Sequence, residues 1–129
     1  MPAPDIKPKT TGKVDTEHLD FDPHNPRLIE EGITTPSDSQ IIQALADTSD
    51  LSEIVESIAA NGYIDIEPMI AQKVKMRYRV LEGNRRLAAI RILLNPDLAK
   101  GTGIAVPEFT KQVRASLKTI TVYAVANPD

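Results

Sequence analysis

Apolar side chains recur at Leu51, Ile54, Val55, Ile58 and Ala59. That i, i+3, i+4, i+7, i+8 spacing puts one stripe of a helix against a core. Ser49 or Asp50 stands where a cap belongs, and Asn61-Gly62 ends the run as a left-handed cap does. A preceding helix opens at Pro36-Ser37-Asp38-Ser39-Gln40, with Ile41, Ile42 and Leu45 as its buried side. Ser37 and Gln40 have the three-residue separation of a capping box. A third run, over about residues 84–95, is apolar nearly all round: Leu87, Ala88, Ala89, Ile90, Ile92, Leu93 and Leu94. Such a helix is buried, here against a sheet, and Asn95-Pro96 stops it. Pro107 opens a last helix, to about residue 117.

Strands are predicted over 68–72 and 78–81, joined as a hairpin through 73–77. A short edge strand fits 14–19, and the β-branched and aromatic stretch 119–126 reads as a final strand. Asp22-Pro23-His24-Asn25-Pro26-Arg27 reads as a turn-rich loop, since each proline biases its predecessor to extended geometry. The pattern as a whole predicts an α+β fold, a small mixed β-sheet with packed helices.

Residues 1–13 are rich in Pro, Lys and Thr and are expected to be a disordered leader, with 14–129 forming one domain. The chain stops at Asn127-Pro128-Asp129 directly after a predicted strand, which predicts a piece of a longer protein. Hydrophobic residues make up 41% and charged residues 26%, as in globular proteins. No apolar run approaches the roughly 20 residues that span a bilayer, and no secretory leader pattern is present, so a cytoplasmic location is expected. There is no cysteine, which excludes disulfides, thiolate metal sites and thiol nucleophiles. With five aromatic residues, Phe21, Tyr63, Tyr78, Phe109 and Tyr123, a platform for stacking bases is poorly supplied.

Charge divides the chain. Residues 1–70 hold 14 acids and 4 bases, a balance of −10; residues 71–129 hold 4 acids and 11 bases, a balance of +7. From Lys73 to Arg91 seven cations, Lys73, Lys75, Arg77, Arg79, Arg85, Arg86 and Arg91, face only Glu82. They are either solvated positions balanced by the acidic half or a local anion-binding face. On the second reading Lys73, Lys75, Arg77 and Arg79 would contact a DNA backbone, although the net charge of −3 opposes a large nonspecific DNA surface.

The chemistry concentrates in Glu82-Gly83-Asn84-Arg85-Arg86. A strand ends there, glycine permits a sharp turn, and a buried helix begins. The first amides of a helix have no internal partner, and the helix dipole is positive at that end. Two arginines in a first turn run against the dipole, so an anionic ligand is expected there. Gly83 and Asn84 would supply amides, and Arg85 and Arg86 guanidinium groups. Asn84 could also cap the helix through its side chain. Glu82 is the candidate catalytic carboxylate: it could share Mg²⁺ with a nucleotide, or orient an arginine.

That turn, in this setting, resembles the ParB N-terminal domain and sulfiredoxin superfamily. The family's order is a helix ending near glycine, an extended segment with proline, a second strand, then a Gly-x-x-Arg turn into an apolar helix. Residues 52–62, Glu67-Pro68-Met69-Ile70, 78–81 and 83–94 follow it in turn, and Asn25-Pro26-Arg27 resembles the family's upstream Pro-Arg element. The resemblance spans about residues 14–126. It implies a nucleotide-binding domain of a DNA partition, plasmid or phage-related protein. In partition proteins the corresponding turn binds the triphosphate of CTP; in sulfiredoxins it binds ATP and carries a catalytic cysteine. Asn84 stands at that cysteine's place, which excludes sulfiredoxin chemistry. Other relatives are free-serine kinases or are described as nucleases. The implied ligand is therefore CTP or ATP with Mg²⁺, the alternatives being a DNA-backbone module, a nuclease or a small-molecule kinase.

The remaining polar residues leave both readings open. Arg27 either reaches the same pocket or pairs with a carboxylate. Asp65 or Glu67 either serves as a base for a phosphoacceptor hydroxyl or is a solvated loop acid. Tyr63 either stacks on a base or packs in the core. His18 and His24, six apart with no second ligand motif, give no zinc pattern.

Overall fold

In a computed structural model, which describes residues 3–126, the alternating segments pair into one five-stranded mixed sheet. The strands are β1 (Thr10–Asp15), β2 (Leu19–Asp20), β3 (Met69–Val74), β4 (Arg77–Glu82) and β5 (Thr119–Ala124), in the order β1-β5-β3-β4-β2. β1 pairs antiparallel with β5, β3 antiparallel with β4, and β3–β5 and β2–β4 are parallel. The helices are α1 (Pro26–Glu30), α2 (Asp38–Thr48), α3 (Leu51–Asn61), α4 (Asn84–Leu94) and α5 (Lys111–Ser116). None of the described helices is long and apolar enough to cross a membrane.

Strand alternation decides which sheet face is covered. Ile120, Val122 and Ala124 of β5 and Tyr78 and Val80 of β4 are buried, while Thr121, Tyr123 and Arg79 between them are only partly covered. The buried set joins Leu87, Ile90 and Leu93 of α4 and Val55 and Ile58 of α3 in one hydrophobic cluster. Six side chains of α4 are buried, as an apolar helix requires. The capping box at α2 is formed: Ser37 Oγ accepts from the Gln40 amide (3.2 Å) and Gln40 Oε1 from the Ser37 amide (2.9 Å). α3 starts after Asp50, whose side chain makes no cap bond, and ends on Gly62 at φ 81°.

Several expectations need correction. Residues 3–13 are not a disordered leader: Thr10 to Lys13 belong to β1, Ala3 is buried, and its amide donates to the Met76 carbonyl (3.0 Å). Ile6 and Pro4 meet the Tyr78 hydroxyl (3.0 and 2.9 Å), so backbone hydrogen bonds offset what the segment lacks in apolar residues. Residues 1–2 and 127–129 lie outside the described residues. The hairpin between β3 and β4 turns at Lys75-Met76, with Lys75 at φ 57°, tighter than the predicted connection. Asn25-Pro26-Arg27 starts α1, because Asn25 Oδ1 caps the Arg27 amide (3.0 Å) and proline tolerates the first helical position. The last helix begins at Lys111, capped by Thr110, not at Pro107.

Candidate functional site at the strand-to-helix turn

β4 runs into α4 through Gly83 alone, at φ 114° and ψ 12°. A side chain there would be strained, and a Cβ would stand 2.7 Å from Met69 Cγ, so glycine is demanded by conformation and by packing. The first bond of α4 runs from the Leu87 amide to the Gly83 carbonyl (2.9 Å). The amides of Asn84, Arg85 and Arg86 precede it, and no side chain among the described residues caps them. They border a cavity of about 740 Å³, lined also by Glu67, Pro68, Ile70, Glu82 and Tyr123. Donors thus converge on an open space beside a positive helix end.

The two arginines divide. Arg86 Nη1 donates to the Tyr63 hydroxyl (3.0 Å) and the Glu67 carbonyl (2.7 Å), fastening the loop after α3 to the start of α4. Arg85 is exposed and has no hydrogen bond or ion pair among the described residues. Neither is paired with an acid among the described residues.

Glu82 is exposed on the same cavity and forms no ion pair among the described residues, so it does not orient an arginine here. Its exposure has a backbone cause. The β3–β4 register shifts between Ile70 and Ala71, so that Ile70 faces Glu82 while Ala71 faces Val80. The extra residue breaks the alternation and turns Glu82 outward, as bulges near functional sites do.

Asn84 does not cap α4. Its side chain accepts from the Asp22 amide (3.1 Å) and donates to the Val80 carbonyl (2.9 Å), locking the turn to β4 and to the loop after β2. Only its amide remains available. Arg27 is not brought to this cavity: Nη1 pairs with Asp47 (2.8 Å), Nε lies 3.6 Å from Glu31, and the side chain lines a separate cavity against α2.

Asp65 is structural. It accepts from Lys13 Nζ (2.9 Å), the Thr121 hydroxyl (2.8 Å) and the Thr121 amide (3.0 Å), completing the edge of β5 before β3 begins. Burial pushes its carboxyl up, but the hydrogen bonds from Lys13 and Thr121 prevail and hold it below the usual value. Tyr63 is buried, and that burial raises its phenol, opposed in part by Arg86. It packs in the core rather than offering a stacking face.

Two of the four cations in the DNA reading are engaged by acids of the protein. Lys73 pairs with Asp5 (2.5 Å) and lies over the Tyr78 ring. Arg77 pairs with Asp20 (2.9 Å). Lys75 and Arg79 have no ion pair among the described residues. Arg91 donates to the Leu19 carbonyl, and burial lowers its pKa. His24 meets Asp22 (2.9 Å), and His18 joins Asp15 and Glu17 in a cluster whose ligand atoms lie within 4.8 Å of one another, a local proximity along the chain that a search for paired histidines misses.

A mixed sheet with a glycine turn that opens an uncapped, arginine-bearing helix defines the class: an α+β domain with helices packed on a small mixed sheet. The sequence profile of the ParB N-terminal domain matches residues 13–122, and the chain belongs to that family, within the ParB/sulfiredoxin superfamily. Comparison with curated proteins and with solved structures finds no match.

Proposed function

We propose that this ParB-like domain binds the phosphates of a nucleoside triphosphate at the start of α4. The observation carrying the reading is the set of three uncapped amides, Asn84, Arg85 and Arg86, opening on a cavity beside the unpaired Arg85 guanidinium. Arg85 supplies the mobile cation, Gly83 lets the backbone approach closely, and Arg86 positions the cavity wall through Tyr63 and Glu67. Glu82 and Glu67 border the same space, and without a cation they would oppose a triphosphate. A Mg²⁺ brought with CTP or ATP fits that donor set, because it takes oxygen ligands from one or two carboxylates together with phosphates. Ile54, Ile70 and Tyr123 give the cavity an apolar side suited to a base and sugar.

The family membership supports a place in a DNA-related partition, plasmid or phage system. The DNA-backbone reading is weaker, since two of its four cations are ion-paired. Kinase or nuclease chemistry needs a base, and Glu82 and Glu67 are the remaining candidates once Asp65 is committed to Thr121 and Lys13.

Isothermal titration with CTP and ATP, with and without Mg²⁺, tests the reading. Binding of at least one nucleotide is expected, with affinity reduced at least about tenfold by Arg85→Ala, the loss of one charge-assisted phosphate contact. Equal affinity in that variant, or no nucleotide binding by the wild type, refutes it.

A further inference from the structure

Residues 50–68 contain five acids, Asp50, Glu53, Glu56, Asp65 and Glu67, and no lysine or arginine. They form α3 and the loop that follows. That loop leaves Ile64 62% and Ile66 80% exposed. It is nevertheless fastened at each alternate residue: the Tyr63 amide donates to Ser116 Oγ (3.0 Å), Asp65 holds Thr121, and the Glu67 carbonyl accepts from Arg86. The isoleucines are therefore presented to solvent on an anchored backbone. Ile64 borders a cavity of about 410 Å³ with Ile54 and Ile58; Glu53 also lines it, as does Arg86, whose Nη1 is engaged by the Tyr63 hydroxyl and the Glu67 carbonyl. Glu53 and Glu56 are exposed, three residues apart on α3, and have no ion pair among the described residues.

We propose that this face docks a cationic, apolar segment of a partner protein. One aliphatic side chain of that segment fills the space between Ile54, Ile58 and Ile64, and its lysines or arginines meet Glu53 and Glu56. Apolar burial gives such a contact its affinity, and complementary charge selects the partner. A helix presenting apolar anchors to a groove is the recurring form of this recognition. The same acids repel nucleic acid and anionic lipid, which distinguishes this face in charge from the neighbouring cavity at the start of α4, with which it shares Ile54 and Arg86. The inference does not depend on nucleotide binding.

The test titrates a fluorescent amphipathic peptide of lysine and leucine, about 15 residues long so that it can be helical, into the full chain. A peptide with glutamate in place of lysine is the control. The lysine peptide is expected to bind and the control not to. Ile64→Ser with Ile66→Ser should weaken binding at least about tenfold. Glu53→Gln with Glu56→Gln should weaken it and flatten its salt dependence. All four positions are exposed, so the circular dichroism of each double variant should match the wild type. Unchanged affinity in the isoleucine variant, or equal binding of the glutamate peptide, overturns the proposal. So does wild-type self-association abolished by the isoleucine substitutions, which would assign the face to a second copy of the chain.

Discussion

Replacing Gly83 by alanine perturbs the turn in two ways that the structure separates. The backbone stands at φ 114°, beyond the left-handed well near +57° that other residues tolerate. Holding an L-residue there costs about 1–2 kcal/mol. The new Cβ would also lie 2.7 Å from Met69 Cγ, 3.2 Å from Met69 Cβ and 3.3 Å from Arg86 Nη2. Met69 is fully buried at the start of β3, so its Cβ cannot retreat without moving the strand. Overpacking of this kind adds about 1–3 kcal/mol. The expected loss is about 2–5 kcal/mol, a large part of the roughly 5–15 kcal/mol that holds a domain together. Urea unfolding followed by circular dichroism reads it as a shift in midpoint at constant slope. Gly32→Ala supplies the comparison: φ is 77° and nothing lies within 4 Å of the added carbon, so only the conformational cost applies. Losses for Gly83→Ala and Gly32→Ala that agree within about 0.5 kcal/mol would refute the claim that Met69 closes the turn. In a Met69→Ala background the alanine at 83 should cost less than in the wild type, because the shortest contact, with Cγ, is gone and only that with Cβ at 3.2 Å remains.

Asp65→Ala should destabilise the domain by about 1–3 kcal/mol, since Thr121 loses its acceptor; urea denaturation checks this, and a loss under about 0.5 kcal/mol contradicts it. The Asp65 carboxyl titrates below its ordinary value of 3.8 in the folded protein, so its contribution is complete above that value and disappears as pH falls through the lower folded value. The stability gap between wild type and Asp65→Ala, measured from pH 7 downward, should therefore narrow below about pH 3.8 and not before. Arg86→Ala should lose about 1–3 kcal/mol through Tyr63 and the Glu67 carbonyl, whereas Arg85→Ala should stay within about 0.5 kcal/mol of wild type in the same urea assay. Ser37→Ala should cost about 1 kcal/mol by removing half of the capping box, read as a lower thermal midpoint.

What the chain declared in advance was mostly local. Periodicity placed α2, α3, α4 and both strands of the β3–β4 hairpin, because each buries a stripe that its own spacing defines. The cap at Ser37 and the stop at Gly62 were equally legible, although Gly62, at φ 81° and ψ 169°, is not the left-handed cap expected. What escaped required knowledge of partners far along the chain. The segment before β1 has almost no apolar pattern, yet it folds because Tyr78 and Met76 offer it hydrogen bonds. Asp65 looked like any loop acid until β5 returned beside it and left the Thr121 amide without a strand partner. Arg27 lost its place at the turn because α1 sets it against Asp47 of α2. The bulge that exposes Glu82 has no signature in residues 78–82, since it arises from pairing with β3.

The adjacent arginines show how far the local argument reaches. Successive residues of a helix point about 100° apart, so Arg85 and Arg86 cannot both turn back onto the loop after α3. Arg86 does so, and the misfit of a cation at a positive helix end is relieved by two neutral oxygens, the Tyr63 hydroxyl and the Glu67 carbonyl. For Arg85 nothing among the described residues supplies that relief. Its side chain stands with three uncapped amides at the edge of a cavity, and on the proposed function each of these groups would be stabilised by the same thing, an external anion. Comparing each alanine variant in inorganic phosphate and in a phosphate-free buffer separates the two roles. Phosphate should raise the midpoint of the wild type and of Arg86→Ala and leave that of Arg85→Ala nearly unchanged. Equal stabilisation of all three would mean that the ion binds elsewhere.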